Sequence, residues 1–208
     1  MTRLPSIMSV TLAVVLGGCE KTPQTAPAVD PQVASSIEEF KNRNIYKQLT
    51  PEVLAAIPDH KLEQAVVDYV HGKIGDNYGR EREIVGGLPA GTRALYITWI
   101  VEAEVNNGGF NQYYWNSASQ FSDQAVAAFE FFSAEKHADL MREANRIRSL
   151  EASRMQELKD RGSAEAFSES YEATKLGPLD DRFYKIEEDL SALRIARIRA
   201  SPALFSGG

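Results

Sequence analysis

The chain has 208 residues, with 23 Lys and Arg against 29 Asp and Glu, and a formal net charge of −6. That acidic balance argues against direct nucleic-acid binding and against electrostatic attraction to an anionic membrane surface. A lone cysteine excludes an intramolecular disulfide, and the length suits one domain with its own hydrophobic core.

Met1-Thr2-Arg3 gives a basic start, Leu4 to Leu16 is apolar, and Gly17-Gly18 precede Cys19. A basic start, a short apolar stretch and small residues at a cleavage point make a secretory signal peptide, here residues 1–18. The run falls short of the roughly 20 apolar residues that cross a bilayer, and it lacks the polar face of a helix packed on a core. Leu16-Gly17-Gly18-Cys19 resembles the lipobox of bacterial lipoproteins, with Gly17 where that family more often has Ala, Ser or Val. The resemblance implies cleavage before Cys19, acylation of its thiol and new amine, and a palmitate-bearing lipoprotein on a membrane of the cell envelope. Glu20, being other than Asp, favours the outer membrane by resemblance to the sorting preference of Gram-negative lipoproteins. Removal of the signal takes away one Arg and no acid, moving the formal charge from −6 to −7. Attachment is therefore expected from the lipid alone, at about 0.8 kcal/mol per buried methylene.

Residues 19–36 then form a linker, carrying three prolines and almost no large apolar side chains. At about 3.1 Å per residue it reaches roughly 50 Å. Residues 37–208 read as one compact multi-helix domain. Thr50-Pro51-Glu52 is a helix start, with threonine as N-cap and proline in the first turn. Leu62, Ala65, Val66, Tyr69 and Val70 mark an amphipathic helix from about Asp59 to Lys73. Glycines at 72, 75, 79, 86, 87 and 91 read as a loop, and an apolar helix from Ala94 to Val105 stops at Asn106-Asn107-Gly108-Gly109. Further helices are expected near Asp123–Phe132, Ala134–Arg148, Leu150–Arg161 and Asp180–Arg199, the last after a break at Gly177-Pro178. With β-branched alternation scarce and no internal repeat, the fold class is all-α.

Residues 102–116, EAEVNNGGFNQYYWN, are the distinctive stretch. Apolar residues surround the preceding helix, so Glu102 and Glu104 sit close to the core and need partners. Asn106 lies one turn after Glu102 and Asn107 lies three residues after Glu104, which makes amide-to-carboxylate bonds available. Asn107-Gly108-Gly109 supplies a tight reversal, after which Phe110, Tyr113, Tyr114 and Trp115 pack back on the helix just left. This reading is a hydrogen-bonded clasp. The competing one is a cleft in which Glu102, Glu104, Asn107, Gln112 and Asn116 meet a ligand or move protons. Residues i and i+2 on a helix point about 200° apart, which counts against a dyad of the two glutamates.

The same stretch closely resembles the motif of the DNA-mimic protein family, whose naming member imitates DNA to bind a transcription repressor. The family's later pattern recurs at Leu179-Asp180-Asp181-Arg182-Phe183-Tyr184, then at Ile198-Arg199 and Ser201-Pro202-Ala203-Leu204-Phe205. The resemblance covers roughly residues 50–205. It implies an all-helical fold and acidic surfaces, and no established activity for most members.

His60, His71 and His137 share no ligand spacing, and neither HExxH, GxSxG nor a phosphate-binding glycine loop occurs. No metal, cofactor or catalytic residue is assigned. Asp180-Asp181 suits a helix N-terminus, while Arg194, Arg197 and Arg199 suit a helix C-terminus. Between Arg93 and Lys136 there is no basic residue, while Glu102, Glu104, Asp123, Glu130 and Glu135 are present. Such a face would attract a basic protein, and outside the cytoplasm that means an envelope or secreted one. The leading expectation is a non-catalytic protein-binding module. An envelope hydrolase using Glu102 or Glu104 with neighbouring amides is the alternative, and a purely structural lipoprotein comes third.

Overall fold

In the computed structural model, which describes residues 30–207, every extended element is a helix and the only strand-like feature is one bridge between Leu49 and Gly207. Contacts divide the chain into residues 1–43 and 44–208. The expected signal peptide, Cys19 and most of the expected linker lie outside the described residues.

The first unit contributes α1, Pro31–Lys41. It begins inside the stretch read as linker. Pro31 is one of the three prolines of that stretch, and an Asp-Pro pair is also a helix start: the Asp30 side chain accepts the Gln32 N–H at 2.7 Å and Pro31 occupies the first turn, where no amide is missed.

The second unit is organised around α5, Ala90–Trp115, whose Leu95, Tyr96, Ile97, Val101, Val105, Phe110 and Tyr113 are buried. Before it come α2, Pro51–Ala56, capped by Thr50 Oγ1 on the Val53 N–H at 3.3 Å, and α3, Asp59–Ile74, which follows its expected span closely. The glycine-punctuated loop holds an unexpected helix, α4, Glu81–Gly86. Its anchor is tertiary. Glu81 is buried and its carboxylate accepts from the Tyr96 hydroxyl at 2.5 Å and from Gln120 Nε2 at 2.8 Å.

After α5 come α6, Ser122–Phe131; α7, Glu135–Leu150; α8, Ala152–Asp160; and α9, Ala164–Ala173, the last capped by Ser163 and not foreseen in the sequence. The single helix expected over Asp180–Arg199 is two: α10, Gly177–Phe183, and α11, Leu190–Ala200. Pro178 sits in the first turn of α10 rather than ahead of it. Asp189 caps α11 by accepting the Ala192 N–H at 2.9 Å. The break between the two helices frees Glu188 to cap α7, accepting the backbone N–H groups of Lys136 at 2.8 Å and His137 at 3.2 Å. The ends of this unit meet where Leu49 and Gly207 exchange backbone hydrogen bonds at 3.1 and 3.0 Å.

Candidate functional site

The apolar helix does not stop at Asn106–Gly109 but breaks there and resumes. Gly108 and Gly109 leave helical geometry, and Gly109 has φ +74 with ψ −179, a conformation that side chains beyond glycine rarely adopt. A Cβ on Gly109 would collide with the Asp180 carboxylate, and one on Gly108 with the Gln112 side chain. The restarted segment needs a donor satisfied at its beginning, and Asp180 Oδ1 accepts the Phe110 N–H at 2.7 Å. Asp180 thus caps a helix other than its own. On the other side of the break, the Tyr184 hydroxyl donates to the Val105 carbonyl at 2.8 Å and the Tyr171 hydroxyl to the Gly108 carbonyl at 2.9 Å. Burial raises Asp180 above the ordinary carboxylate range, against the lowering effect of the Phe110 N–H, and neighbouring Asp181 adds to the rise.

The reversal decides which amides reach Glu104. Its Oε2 accepts from Gln112 Nε2 at 3.0 Å and from Asn116 Nδ2 at 2.8 Å, eight and twelve residues onward. The expected bonds from Asn106 to Glu102 and from Asn107 to Glu104 do not form, and both asparagines are exposed. The non-helical turn at Gly108–Gly109 carries the chain back beneath Glu104 further along than helical spacing implies. Phe110 and Tyr113 are core residues, Phe110 meeting Phe183 edge to face at 5.9 Å. The Tyr113 hydroxyl is buried with no hydrogen-bond partner among the described residues, and burial pushes its phenol well above the ordinary value.

Glu102 belongs to a different network, as the helical rotation between i and i+2 requires. Arg194, fully buried on α11, places Nη1 2.7 Å from Glu102 and 2.5 Å from Glu63, with Nε donating to Thr98 Oγ1 at 3.0 Å. Sequence reading put Arg194 at its own helix terminus. The missed signal was register: Leu190, Arg194 and Ile198 recur every four residues, so this arginine lies on the apolar stripe. Arg199 also serves another helix, donating to the Leu54 and Ile57 carbonyls at the C-terminal end of α2. A further pair was missed on α7: His137 is buried with Nδ1 2.8 Å from Glu188 and its ring stacked on Phe129. Burial lowers the His137 pKa, outweighing the upward pull of Glu188. Burial raises Glu188, but the hydrogen bonds from Lys136 N–H and His137 prevail and leave it lowered.

The gap in basic residues along the sequence is not a gap in space. Asp123 pairs with Arg82 at 2.7 Å, Glu130 with Arg142 and Glu102 with Arg194, all from other parts of the chain. Glu104 and Asp180 differ from these, because each meets only neutral donors.

Beside the clasp lies an open groove of about 670 Å³, lined by Asn107, Gln112, Trp115 and Asn116 of α5 and by Lys159, the α8–α9 turn and Phe167. Lys159 Nζ donates to the Tyr114 carbonyl at 2.9 Å, and burial lowers its pKa. The structure therefore brings Asn107, Gln112 and Asn116 together at one surface, with Glu104 behind two of them, and separates them from Glu102. Among the described residues no group of three or more His, Cys, Asp or Glu is placed to hold a metal ion, and no helix is long and apolar enough to cross a membrane.

A family model described as DMP19-like protein matches residues 86–201, more than half of the chain, from just before α5 to the end of α11. No curated protein and no solved structure matches.

Proposed function

The chain belongs to the DMP19-like protein family of DNA-mimic proteins, and from that premise we propose that it is a lipid-anchored, non-catalytic protein-binding module of the bacterial envelope. The anchor and the location rest on the resemblance of residues 1–19 to a lipoprotein signal. The binding role rests on one observation above the others. Glu104 Oε2 accepts from both Gln112 and Asn116, which fixes the two amides at the wall of an open groove that Lys159 also lines, with the carboxylate behind them bonded to neutral donors. A fixed polar surface backed by a carboxylate that meets only neutral donors favours a cationic side chain brought by a basic partner. In the hydrolase alternative Glu104 and Glu102 have Oε2 already engaged, by two amides and by Arg194, which leaves Oε1 of each for proton transfer.

The reading is tested by placing a photo-crosslinking residue at Asn107 in the acylated protein in intact cells, with Leu150, exposed on α7, as the comparison position. A basic envelope protein recovered from position 107 and not from position 150 is expected. Equal recovery at both, or none at 107 while the protein is acylated and abundant, overturns it. Loss of palmitate labelling in Cys19→Ser is the separate check on the anchor.

A further inference from the structure

Helix α1 is made by local signals, and its apolar side chains stay exposed. Asp30 caps it, Pro31 fills its first turn and Lys41 lies in its last. Its 11 residues fall short of the roughly 12–15 at which an isolated helix becomes marginal in water, and none of its side chains is buried. Most helical stability comes from the packing of an apolar face, and α1 has one. Val33, Ile37 and Phe40 follow each other at spacings of four and three, which sets them on one stripe, and they are 47 %, 44 % and 49 % exposed. At 100° per residue Glu38 and Glu39 fall on the opposite side, whereas Lys41 flanks the stripe and the Arg43 guanidinium sits 3.6 Å over the Phe40 ring.

Position along the chain says what covers the stripe. Residues 20–30 are all that separate Cys19 from the first helical residue, and eleven residues span at most about 36–40 Å. An acyl chain on Cys19 confines α1 within that distance of the headgroups, where the effective concentration of bilayer surface is high. We infer that α1 lies in the plane of the bilayer interface with Val33, Ile37 and Phe40 in the headgroup–acyl boundary, so that helix and lipid together hold the protein. The inference rests on the lipid-anchor reading above and replaces the expectation that the lipid acts alone. Apolar burial drives it, since residues 30–43 carry Asp30, Glu38 and Glu39 against Lys41 and Arg43. The attachment therefore depends little on the anionic lipid fraction.

The test is amide hydrogen exchange across residues 31–41 in the acylated chain on phosphatidylethanolamine–phosphatidylglycerol vesicles, against the soluble Cys19→Ser chain. Exchange slows at least about tenfold on vesicles, and the triple variant V33S/I37S/F40S stays acylated and vesicle-bound but loses the slowing. Residues 44–207 report whether that variant keeps its fold. Equal exchange in both states with the chain still vesicle-bound overturns the interfacial helix and leaves the anchor standing. Slowing already present in the soluble chain overturns it in favour of a protein surface over the stripe. A chain that carries no acyl group on Cys19 removes both readings together.

Discussion

Glu102 and Glu104 stand two residues apart on one helix and live in different chemistry. Glu102, its side chain 33 % exposed, turns its carboxylate to the buried Arg194, which holds it together with Glu63 so that charge is balanced by charge. Glu104 reaches the break in α5, where only neutral amides answer it, just as Asp180 is answered by a backbone N–H. The interior arrangement follows from desolvation: a buried guanidinium without a carboxylate is untenable. At the break the donors are neutral side-chain amides, and no ion pair forms on Glu104 among the described residues. One short motif thus supplies both an ion pair to Arg194 and the amide-bonded wall of a groove, and the 200° between residues i and i+2 on a helix keeps them apart.

The strongest way to break this contrast is Arg194→Met. Removing Arg194 leaves Glu63 and Glu102 without their cation, and because both carboxylates keep some exposure the expected loss in urea unfolding is about 3 kcal/mol, the low end for a buried pair. A loss under about 1 kcal/mol would mean that the network is solvated. Gly109→Ala comes next, at about 1–3 kcal/mol, because it combines a positive φ with the collision against Asp180. If Asp180→Ala relieves part of that cost in the double variant, the collision is confirmed as distinct from the backbone term.

Glu104→Ala should cost less, about 1 kcal/mol, since each hydrogen bond it loses is partly replaced by water. It should nonetheless abolish crosslinking from position 107, whereas Arg194→Lys, if folded, should retain it. A pH series sharpens the interior side. His137 is held neutral below its usual value, so the folded state binds fewer protons than the unfolded one as pH falls through about 6.5, the ordinary histidine value. Stability present above that pH is lost on acidification, and His137→Asn should flatten the urea midpoint between neutral pH and pH 5 or so. The lowered Glu188 carboxyl acts in the same direction at lower pH, as pH falls through the usual carboxylate range, and the part that comes from the backbone N–H groups of residues 136 and 137 survives in that variant. Asn107→Ala, at an exposed position, should change stability by no more than about 0.5 kcal/mol and show its effect only in partner capture.

The amino-acid pattern by itself determined the fold class, the threonine-capped start of α2, the span of α3, the tight break at Gly108–Gly109 and the family. These are local matters: side-chain periodicity, capping and the conformational freedom of glycine act within a few residues. It also located the stretch whose Asn107, Gln112 and Asn116 line the groove. Tertiary structure decided everything that required a partner distant in the chain. Glu104 chose Gln112 and Asn116 over Asn107 because the break returns the chain at an angle that helical spacing does not contain. Asp180 caps the second half of α5 and Glu188 caps α7, since an unsatisfied amide is met by whichever carboxylate packing brings near. A helix joins the chain at Glu81 because Tyr96 and Gln120 donate to its buried carboxylate, and Glu102, Asp123 and Glu130 of the expected acidic face pair with Arg194, Arg82 and Arg142 from other elements. Sequence order carries no record of those distances, so charge balance and buried polar pairing become visible only once the helices have packed.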